Sequence, residues 1–305
     1  MSHGLAPSTR RVYSTAQRRF MDFCIQDNQV KPNGSILPAS QETLIRFCSH
    51  LADRLHHTSI KVYLSGVRSL HIEEGHPDPL ADCLQLQRVL RGIKRCQGTN
   101  QVKRRPITGE LMHIIHRSLD LSNYYHIMLW AACCMGFFGF LRAGEFTVNS
   151  PFDPNHHLTS QDLQVDSMVN PTSIKVHLKS SKTDPFRQGC YIYIGKGKPT
   201  LCPIAAIIQY LKLRGPSTGP LFINLDGSPL TRQALSTTIQ SILQAAGVQG
   251  QFSGHSFRIG AATTAAGQGV QDHLIKTLGR WSSDAYQRYI RTPVHTILSV
   301  SEQLV

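Results

Sequence analysis

The sequence has little that would hold a metal ion, and it lacks an apolar run long enough to span a membrane. Its eight cysteines include no C-x-x-C pair and no paired Cys/His spacing, so a zinc site is not expected. Scattered cysteines of this kind fit reduced thiols inside a cell. The longest apolar run, residues 127–141, has 15 residues, whereas a membrane helix needs about 20. We therefore expect this run to form a buried core helix.

Acidic residues are scarce: 19 Asp and Glu stand against 32 Lys and Arg, which leaves a net charge of +13. An excess of this size indicates a polyanionic partner, most often nucleic acid, although a basic but inert surface would have the same composition. Internal repeats, coiled-coil heptads and low-complexity tracts are also absent, which excludes the repeat and fibrous classes. A chain of 305 residues is long for one domain, so two domains are expected.

Residues 1–100 predict a helical module of four or five short helices. The first helix is expected to begin at Ser8 or Thr9, and its apolar stripe would contain Val12, Ala16, Phe20 and Phe23. A second helix would be capped by Ser40. The polar and basic residues 101–106 have the composition of a linker, and a second domain would cover 107–305.

Two short segments of the second domain alternate between apolar and polar residues. "SIKVHLK" (173–179) and "CYIYIG" (190–195) therefore predict two strands, joined by a polar hairpin that carries Lys182. Helical patterns dominate on either side. The expected fold is mainly α with a small antiparallel β-sheet.

Two pairs of residues have the spacing and chemistry of a phosphate site. His255 and Arg258 are three residues apart and would share one helical face, where the arginine can bind two phosphate oxygens and the histidine can move a proton. Arg142 follows the buried run and has Glu145 at the same spacing. Each pair also has a purely structural interpretation, a packed histidine in one case and a buried ion pair in the other. Lys182, taken alone, would be a solvated lysine in a turn.

The order of these residues carries a resemblance to a known family. Arg142 and Glu145 in "GFLRAGEF", Lys182 in "SSKTD", His255-x-x-Arg258 and a tyrosine near the end resemble the tyrosine recombinase (phage integrase) family along the whole chain. "SGHSFRIGAA" is similar to the corresponding stretch of Cre recombinase. "GRWSSDAYQRYIR" is similar to recombinases of eukaryotic mobile elements of the Crypton and DIRS types. The resemblance implies an N-terminal helical core-binding domain and a mixed α/β tyrosine recombinase catalytic domain.

The resemblance also implies a role for each residue. Arg142 and Arg258 would hold oxygens of the scissile phosphate, and Glu145 would orient Arg142. His255 would assist removal of the proton from the nucleophile, and Lys182 would protonate the departing 5′ oxygen. No metal ion or other cofactor is implied. The 3′-phosphotyrosyl ester conserves the energy of the broken bond, so ATP is not needed.

Tyr289 is the predicted nucleophile and Tyr286 its neighbour. The family usually has His or Trp nine residues before the nucleophile, and counting back from Tyr289 gives Arg280, with Trp281 next to it. Counting back from Tyr286 gives Thr277, which has no ring. Either Arg280 takes over the phosphate contact or Trp281 packs in that place.

The implied partner is duplex DNA. The residues predicted to contact it are Arg10, Arg11, Arg18, Arg19, Lys103, Arg104 and Arg105. The chain would act as a homotetramer on two DNA sites, as a monomer or dimer without DNA, and in the nucleus. The tail after residue 295 would dock on a neighbouring protomer or on its own domain.

Two rival functions remain open. In the first, a captured mobile-element product binds DNA without cutting it. In the second, the chemistry is retained but relaxes DNA one strand at a time, as a topoisomerase does. The expected activity is site-specific recombination or integration for a mobile element, with cleavage, strand exchange and religation.

Overall fold

The computed structural model describes residues 4–98, 104–167, 169–182, 184, 186–216, 218–288 and 290. The chain divides into two compact units, Met1–Gln101 and Val102–Val305. Within the described ranges, no helix combines the length and apolar character that crossing a membrane requires. All eight cysteines have free thiols, and most of them are buried.

The N-terminal unit contains the helices α1 (Pro7–Gln26), α2 (Gln41–Ala52), α3 (His57–Glu73) and α4 (Leu84–Gln97). Its core includes Phe20 and Phe47, whose rings pack edge to face. The predicted cap at Ser40 is confirmed, since its side chain accepts a hydrogen bond from the Thr43 N–H. The predicted start of α1 was wrong. The helix begins at Pro7, where a missing N–H costs nothing in the first turn.

The predicted apolar stripe of α1 is correct in part. Ala16, Phe20 and Phe23 are buried, but Val12 is 44% exposed. Ala16 packs against α3 at Gly66, where an added Cβ would lie only 2.8 Å from the Ala16 side chain. The apolar periodicity thus identified the buried face of the helix, but it did not show that Val12 on this face is exposed.

The second unit is mainly helical. Its helices are α5 (Gly109–Arg117), α6 (Tyr124–Phe138), α7 (Ala143–Phe146), α8 (Pro203–Arg214), α9 (Arg232–Ala245), α10 (Gly254–Gly267) and α11 (Asp272–Leu278). Every residue of α6 from Ile127 to Phe137 is buried, and α8 and α10 pack against this helix. The prediction of a core helix in the apolar run is therefore confirmed.

A small antiparallel sheet completes the second unit, which confirms the predicted fold class. Its strands β1 (Leu163–Val165), β2 (Ser173–Leu178) and β3 (Cys190–Gly195) lie side by side in that order. Val176 pairs with Ile192 and faces the core, as the alternation predicted. The sequence reading missed β1, which has only three residues. The hairpin between β2 and β3 carries Lys182.

Candidate active site

The carboxylate of Glu145 lies between two arginines. Its Oε1 accepts a hydrogen bond from Arg142 Nη1 and its Oε2 accepts one from the Arg142 backbone N–H, both at 2.9 Å. Arg280 Nη2 donates to the same Oε2 at 2.7 Å, and Arg280 Nη1 donates to the Gly139 carbonyl at 3.3 Å. The Glu145 side chain is only 4% exposed. Because one carboxylate neutralises only one of two guanidinium groups, the cluster keeps a positive charge that can hold an anion.

The helix α10 holds His255 in its first turn, and small residues let this helix approach its neighbours closely. A Cβ at Gly254 would overlap the side chain of Ala143, at the start of α7. A Cβ at Gly260 would overlap the backbone of Ile107. These close contacts fix the position of His255 relative to Arg142, which directly precedes α7.

His255 is neutral at ordinary pH. Its pKa is lowered to about 4, first by burial and then by the surrounding cations Arg258, Arg104, Arg142 and Lys182. A neutral imidazole has one ring nitrogen that can accept a proton. The same cations would compensate for the negative charge of a phosphate bound beside the ring. His255 therefore has the protonation state that a proton acceptor needs.

Three lysines lie in or near the β2–β3 hairpin, and their contacts differ. Lys179 Nζ lies 2.6 Å from Asp162 Oδ2 and is 20% exposed, so it is held in an ion pair. Lys175 Nζ lies over the Tyr191 ring, 4.1 Å from the ring centroid. Lys182 is exposed and lines the cavity described next. Of the three, Lys182 is the one in position to act on a bound anion.

The side chains of Arg142, Lys182, His255 and Arg280 line one cavity of about 1130 Å³ in the second unit. Its basic lining residues are Arg104, Arg142, Lys182, Arg232, His255 and Arg280. No Asp or Glu belongs to the described lining. Because the cavity is concave and its charges have one sign, it attracts polyanions.

Arg258 occupies a different place from the one its spacing predicted. It is completely buried, and it is not part of the described cavity lining. Its Nη1 donates to the Phe140 carbonyl at 2.9 Å, and its Nη2 donates to the Gly279 carbonyl. The indole of Trp281 lies over the guanidinium, with 4.4 Å between Cζ and the ring centroid. Arg258 thus lies beneath Trp281, which itself lines the cavity.

The two tyrosines differ in what the structure says of them. Tyr286 is buried, and its hydroxyl donates to Asp272 Oδ2 at 3.3 Å. Its ring centroid lies 6.0 Å from that of Trp281. Tyr289 lies outside the described residues, as does the tail after residue 290. The assignment of Tyr289 as nucleophile stays a prediction.

One wall of the cavity was missed by the sequence reasoning. It is the face of α9 formed by Arg232, Gln233, Ser236, Thr237, Gln240 and Ser241. The Thr231 cap signals a helix start, since its Oγ1 accepts from the Ala234 N–H at 3.1 Å. The Arg232 N–H in turn donates to Asn149 Oδ1 at 3.0 Å, which holds α9 beside the segment after α7. No local pattern could have indicated that contact.

The predicted DNA contacts of the N-terminal unit lie on α1. Arg10, Arg11 and Arg18 are exposed there. Arg19 is half-buried, with Nη1 3.5 Å from the Tyr63 hydroxyl. Their exposure leaves Arg10, Arg11 and Arg18 accessible to a polyanion.

The predicted contacts of residues 103–105 have different positions. Lys103 lies outside the described residues, and Arg104 lines the cavity. The Arg105 N–H donates to the Gln251 carbonyl at 2.9 Å, and its guanidinium donates to the Gln249 carbonyl. Arg105, in the C-terminal part of the expected linker over 101–106, is therefore hydrogen-bonded to the second unit.

The arrangement as a whole suits the binding of a phosphate and the movement of protons. Arginines can stabilise charge on phosphate oxygens, the neutral His255 can accept a proton and Lys182 can donate one. Among the residues that the structure describes, no group of three His, Cys, Asp or Glu side chains is arranged to hold a metal ion.

Sequence comparison identifies the relatives of the chain. Residues 190–293 match the model of the phage integrase family. The chain is 25% identical over 297 residues to an integrase/recombinase xerD homolog of Selenomonas ruminantium, covering 93% of this chain and 82% of that protein.

Solved structures with the same fold include the XerH site-specific recombinase bound to palindromic difH substrate, with a TM-score of 0.68 and 16% identity over 95% of this chain and 78% of that one. A lambda integrase dimer bound to a COC′ core site has a TM-score of 0.62 and 16% identity, covering 95% of this chain and 73% of that one. The Tn1549 transposon integrase with circular intermediate DNA has a TM-score of 0.61 and 13% identity, covering 98% and 94%. Residues 190–293 are thus similar to the phage integrase (tyrosine recombinase) family, and the chain has the fold of these solved structures.

Proposed function

We propose that this chain is a site-specific DNA recombinase of a mobile genetic element, which cuts and rejoins duplex DNA through a 3′-phosphotyrosyl intermediate. The observation that carries the proposal is the cavity, whose described lining combines Arg142, Lys182, His255 and Arg280 without a carboxylate. A phosphodiester is the anion that needs all of these groups at once, because its cleavage requires charge stabilisation and two proton transfers.

Arg142 and Arg280 bind the non-bridging oxygens of the scissile phosphate in this proposal. Glu145 holds both guanidinium groups in a fixed orientation. Arg280 lines the cavity, and its ion pair with Glu145 keeps the guanidinium beside it. Of the two interpretations that the sequence left open at this position, the geometry supports Arg280 as the phosphate contact. Arg258 is a further phosphate ligand once it is uncovered.

The covalent step exchanges one phosphoester for another. The hydroxyl oxygen of Tyr289 attacks phosphorus, and the new bond forms as the bond from phosphorus to the 5′ oxygen breaks. His255 takes the tyrosine proton, and Lys182 gives a proton to the departing 5′ oxygen. The reverse step reseals the strand. The energy of the ester is retained, so the cycle needs no ATP.

Duplex DNA is the proposed partner of both units. The exposed basic residues of the N-terminal unit that support this are Arg10, Arg11 and Arg18 on α1 and Arg88, Arg91, Lys94 and Arg95 on α4. The proposed assembly is a homotetramer on two DNA sites. A lambda integrase tetramer bound to a Holliday junction, a structural neighbour with a TM-score of 0.60, is consistent with it. Action in the nucleus is also proposed, on the resemblance of "GRWSSDAYQRYIR" to the recombinases of eukaryotic elements.

The proposal is tested with a suicide substrate. DNA sequences that the protein prefers are first selected from a random pool, and the selected duplex is then nicked beside the cleavage position so that religation fails. A recombinase accumulates a covalent protein–DNA band in denaturing gels, in buffer that contains a chelator and no ATP. DNA binding without this band would indicate a silent DNA-binding protein. Cleavage and relaxation without exchange between two sites would indicate a topoisomerase-like activity.

A further inference from the structure

Trp281 separates Arg258 from the cavity. The indole belongs to the described cavity lining, whereas Arg258, directly beneath it, is completely buried. The guanidinium lies 4.4 Å from the ring centroid, and its two terminal nitrogens donate to the carbonyls of Phe140 and Gly279. Because the guanidinium is completely buried under the indole, it cannot reach a phosphate in the cavity while Trp281 stays in this place. One of the two arrangements has to give way to the other.

The position of the indole depends on a glycine. Trp281 packs directly over Gly279, and a Cβ at this position would overlap three carbons of the indole ring. The backbone of Gly279 itself is helical, with φ −79° and ψ −5°, so any residue could adopt it. Glycine is therefore required here by the side chain of Trp281 and not by the backbone conformation.

Two backbone hydrogen bonds hold the start of the turn that carries the indole. The Arg280 N–H donates to the Thr277 carbonyl at 2.9 Å, and the Trp281 N–H donates to the Lys276 carbonyl at 3.1 Å. Arg280 has a φ of +52°, in the left-handed region that is unfavourable for an arginine. Strained backbone of this kind clusters at ligand clamps and switch regions.

We infer that Trp281 is a positioning residue that acts through Arg258: it covers this arginine in the DNA-free protein and leaves it when a DNA phosphate binds. The inference rests on the proposed function. A cation stacked on an aromatic ring is held by a moderate attraction, whereas an arginine–phosphate contact adds charge-assisted hydrogen bonds. DNA therefore favours the open arrangement, in which Trp281 has left Arg258. In the closed arrangement Trp281 covers Arg258, and the apparent affinity for DNA is reduced by the fraction of molecules that are closed.

Tryptophan emission can follow this change, because the sequence contains only two tryptophans. The other one, Trp130, is buried at 4% exposure against His116, away from the described cavity lining. Quenching by acrylamide is measured with and without a duplex oligonucleotide of random sequence at low salt, in the unchanged protein and in Trp281→Phe. The signal of Trp281 is the difference between the two. It should become more accessible to acrylamide when DNA binds.

Gly279→Ala tests the same point without removing the indole. The added methyl group excludes Trp281 from its place, so the variant should be quenched strongly before DNA is added and should change little afterwards. Its affinity for DNA should rise about tenfold if the closed arrangement holds about nine molecules in ten. Gly109→Ala is the matched control, since a Cβ there makes an ordinary contact of 3.6 Å with Thr264. It should behave as the unchanged protein does.

The outcomes separate this inference from the proposed function. If DNA binds, as followed by anisotropy of a labelled duplex, and the quenching of Trp281 stays unchanged, the inference is wrong while the function stands. An unaltered affinity and quenching in a folded Gly279→Ala variant would also overturn it. Should Gly279→Ala fail to fold, the comparison with Trp281→Phe decides alone. Absence of any DNA binding would instead contradict the proposed function.

Discussion

Arg280 Nη2 lies 2.7 Å from Glu145 Oε2, although 135 residues separate the two along the chain. Arg280 reaches this position with a backbone φ of +52°, which costs about 1 kcal/mol or more for a residue other than glycine. The ion pair with a nearly buried carboxylate offsets that cost. Two arginines from distant segments are thus oriented by one acidic side chain.

Removing the charge of Glu145 should therefore disturb both arginines. Glu145→Gln keeps the shape of the side chain, and we expect the free energy of unfolding to fall by about 1–3 kcal/mol, less than for a fully buried pair because both guanidinium groups remain partly exposed. Cleavage of the suicide substrate should slow about 10²-fold, since the phosphate ligands lose their orientation. Thermal unfolding and single-turnover cleavage measure the two effects. Glu110→Gln, at an exposed position, is the control. Full activity of Glu145→Gln would refute the orienting role.

Lys182→Ala tests the general acid. The variant should cleave ordinary DNA about 10²–10⁴ times more slowly, the usual size of help from proton transfer. When sulfur replaces the 5′-bridging oxygen, the leaving group departs without a proton. The variant should therefore cleave this substrate at nearly the normal rate. Lys175→Ala, whose ammonium lies over Tyr191, should be active on both substrates. Equal slowing of Lys182→Ala on both substrates would mean that Lys182 only binds DNA.

The lowered pKa of His255 predicts how stability depends on pH. In the unfolded chain its pKa is near 6.5, and in the folded protein it is about 4. As the pH falls between these values, the unfolded state takes up a proton that the folded state does not. The contribution of the neutral His255 to the free energy of unfolding is therefore complete above about pH 6.5 and is lost towards pH 4. His255→Gln should have a weaker acid dependence of unfolding over this window, measured by denaturant titration at several pH values. An unchanged dependence would contradict the assignment.

Tyr289→Phe should abolish the covalent protein–DNA band while leaving DNA binding intact, because it removes one oxygen and little volume. Tyr286→Phe should keep the band and lose about 1 kcal/mol of stability, since its hydroxyl donates to Asp272. Mass spectrometry of the trapped adduct identifies the modified residue. A nucleotide on Tyr286 would reverse the assignment.

The basic surface predicts a strong dependence of DNA affinity on salt. The logarithm of the affinity should fall linearly with the logarithm of the salt concentration, with a slope of about −0.9 for each phosphate neutralised. Replacing exposed Arg18 by alanine should reduce the magnitude of this slope by about 0.9, the contribution of one phosphate. Arg46→Ala is a suitable control, because Arg46 is paired with Asp27 at 2.7 Å. A slope near zero would rule out phosphate contacts as the source of binding.

Patterns within one element were sufficient to predict much of the fold. The apolar run predicted α6, the alternation predicted β2 and β3, and Ser40 predicted the start of α2, because each pattern reflects the geometry of a single helix or strand. The order of Arg142, Lys182, His255 and Arg258 pointed to one site. Their spacing along the chain could not indicate which of them face the cavity.

The relationships that sequence reasoning missed are contacts between distant segments. The wall formed by α9 depends on a hydrogen bond from Arg232 to Asn149, and the covering of Arg258 depends on the turn after α11. The strand β1 is too short for alternation to be recognised. In each case tertiary packing decides the structure, and local propensities do not describe tertiary packing.

The glycine contacts of α10 have a consequence for engineering this protein. His255 is fixed by close approach at Gly254 and Gly260, so its position depends on main chain and small side chains that tolerate almost no substitution. Several of the side chains that α9 contributes to the cavity wall, such as Arg232 and Thr237, are exposed instead. Libraries that randomise this wall can therefore alter what the cavity accepts while the reacting groups keep their places, which makes α9 the segment from which directed evolution towards new targets should begin.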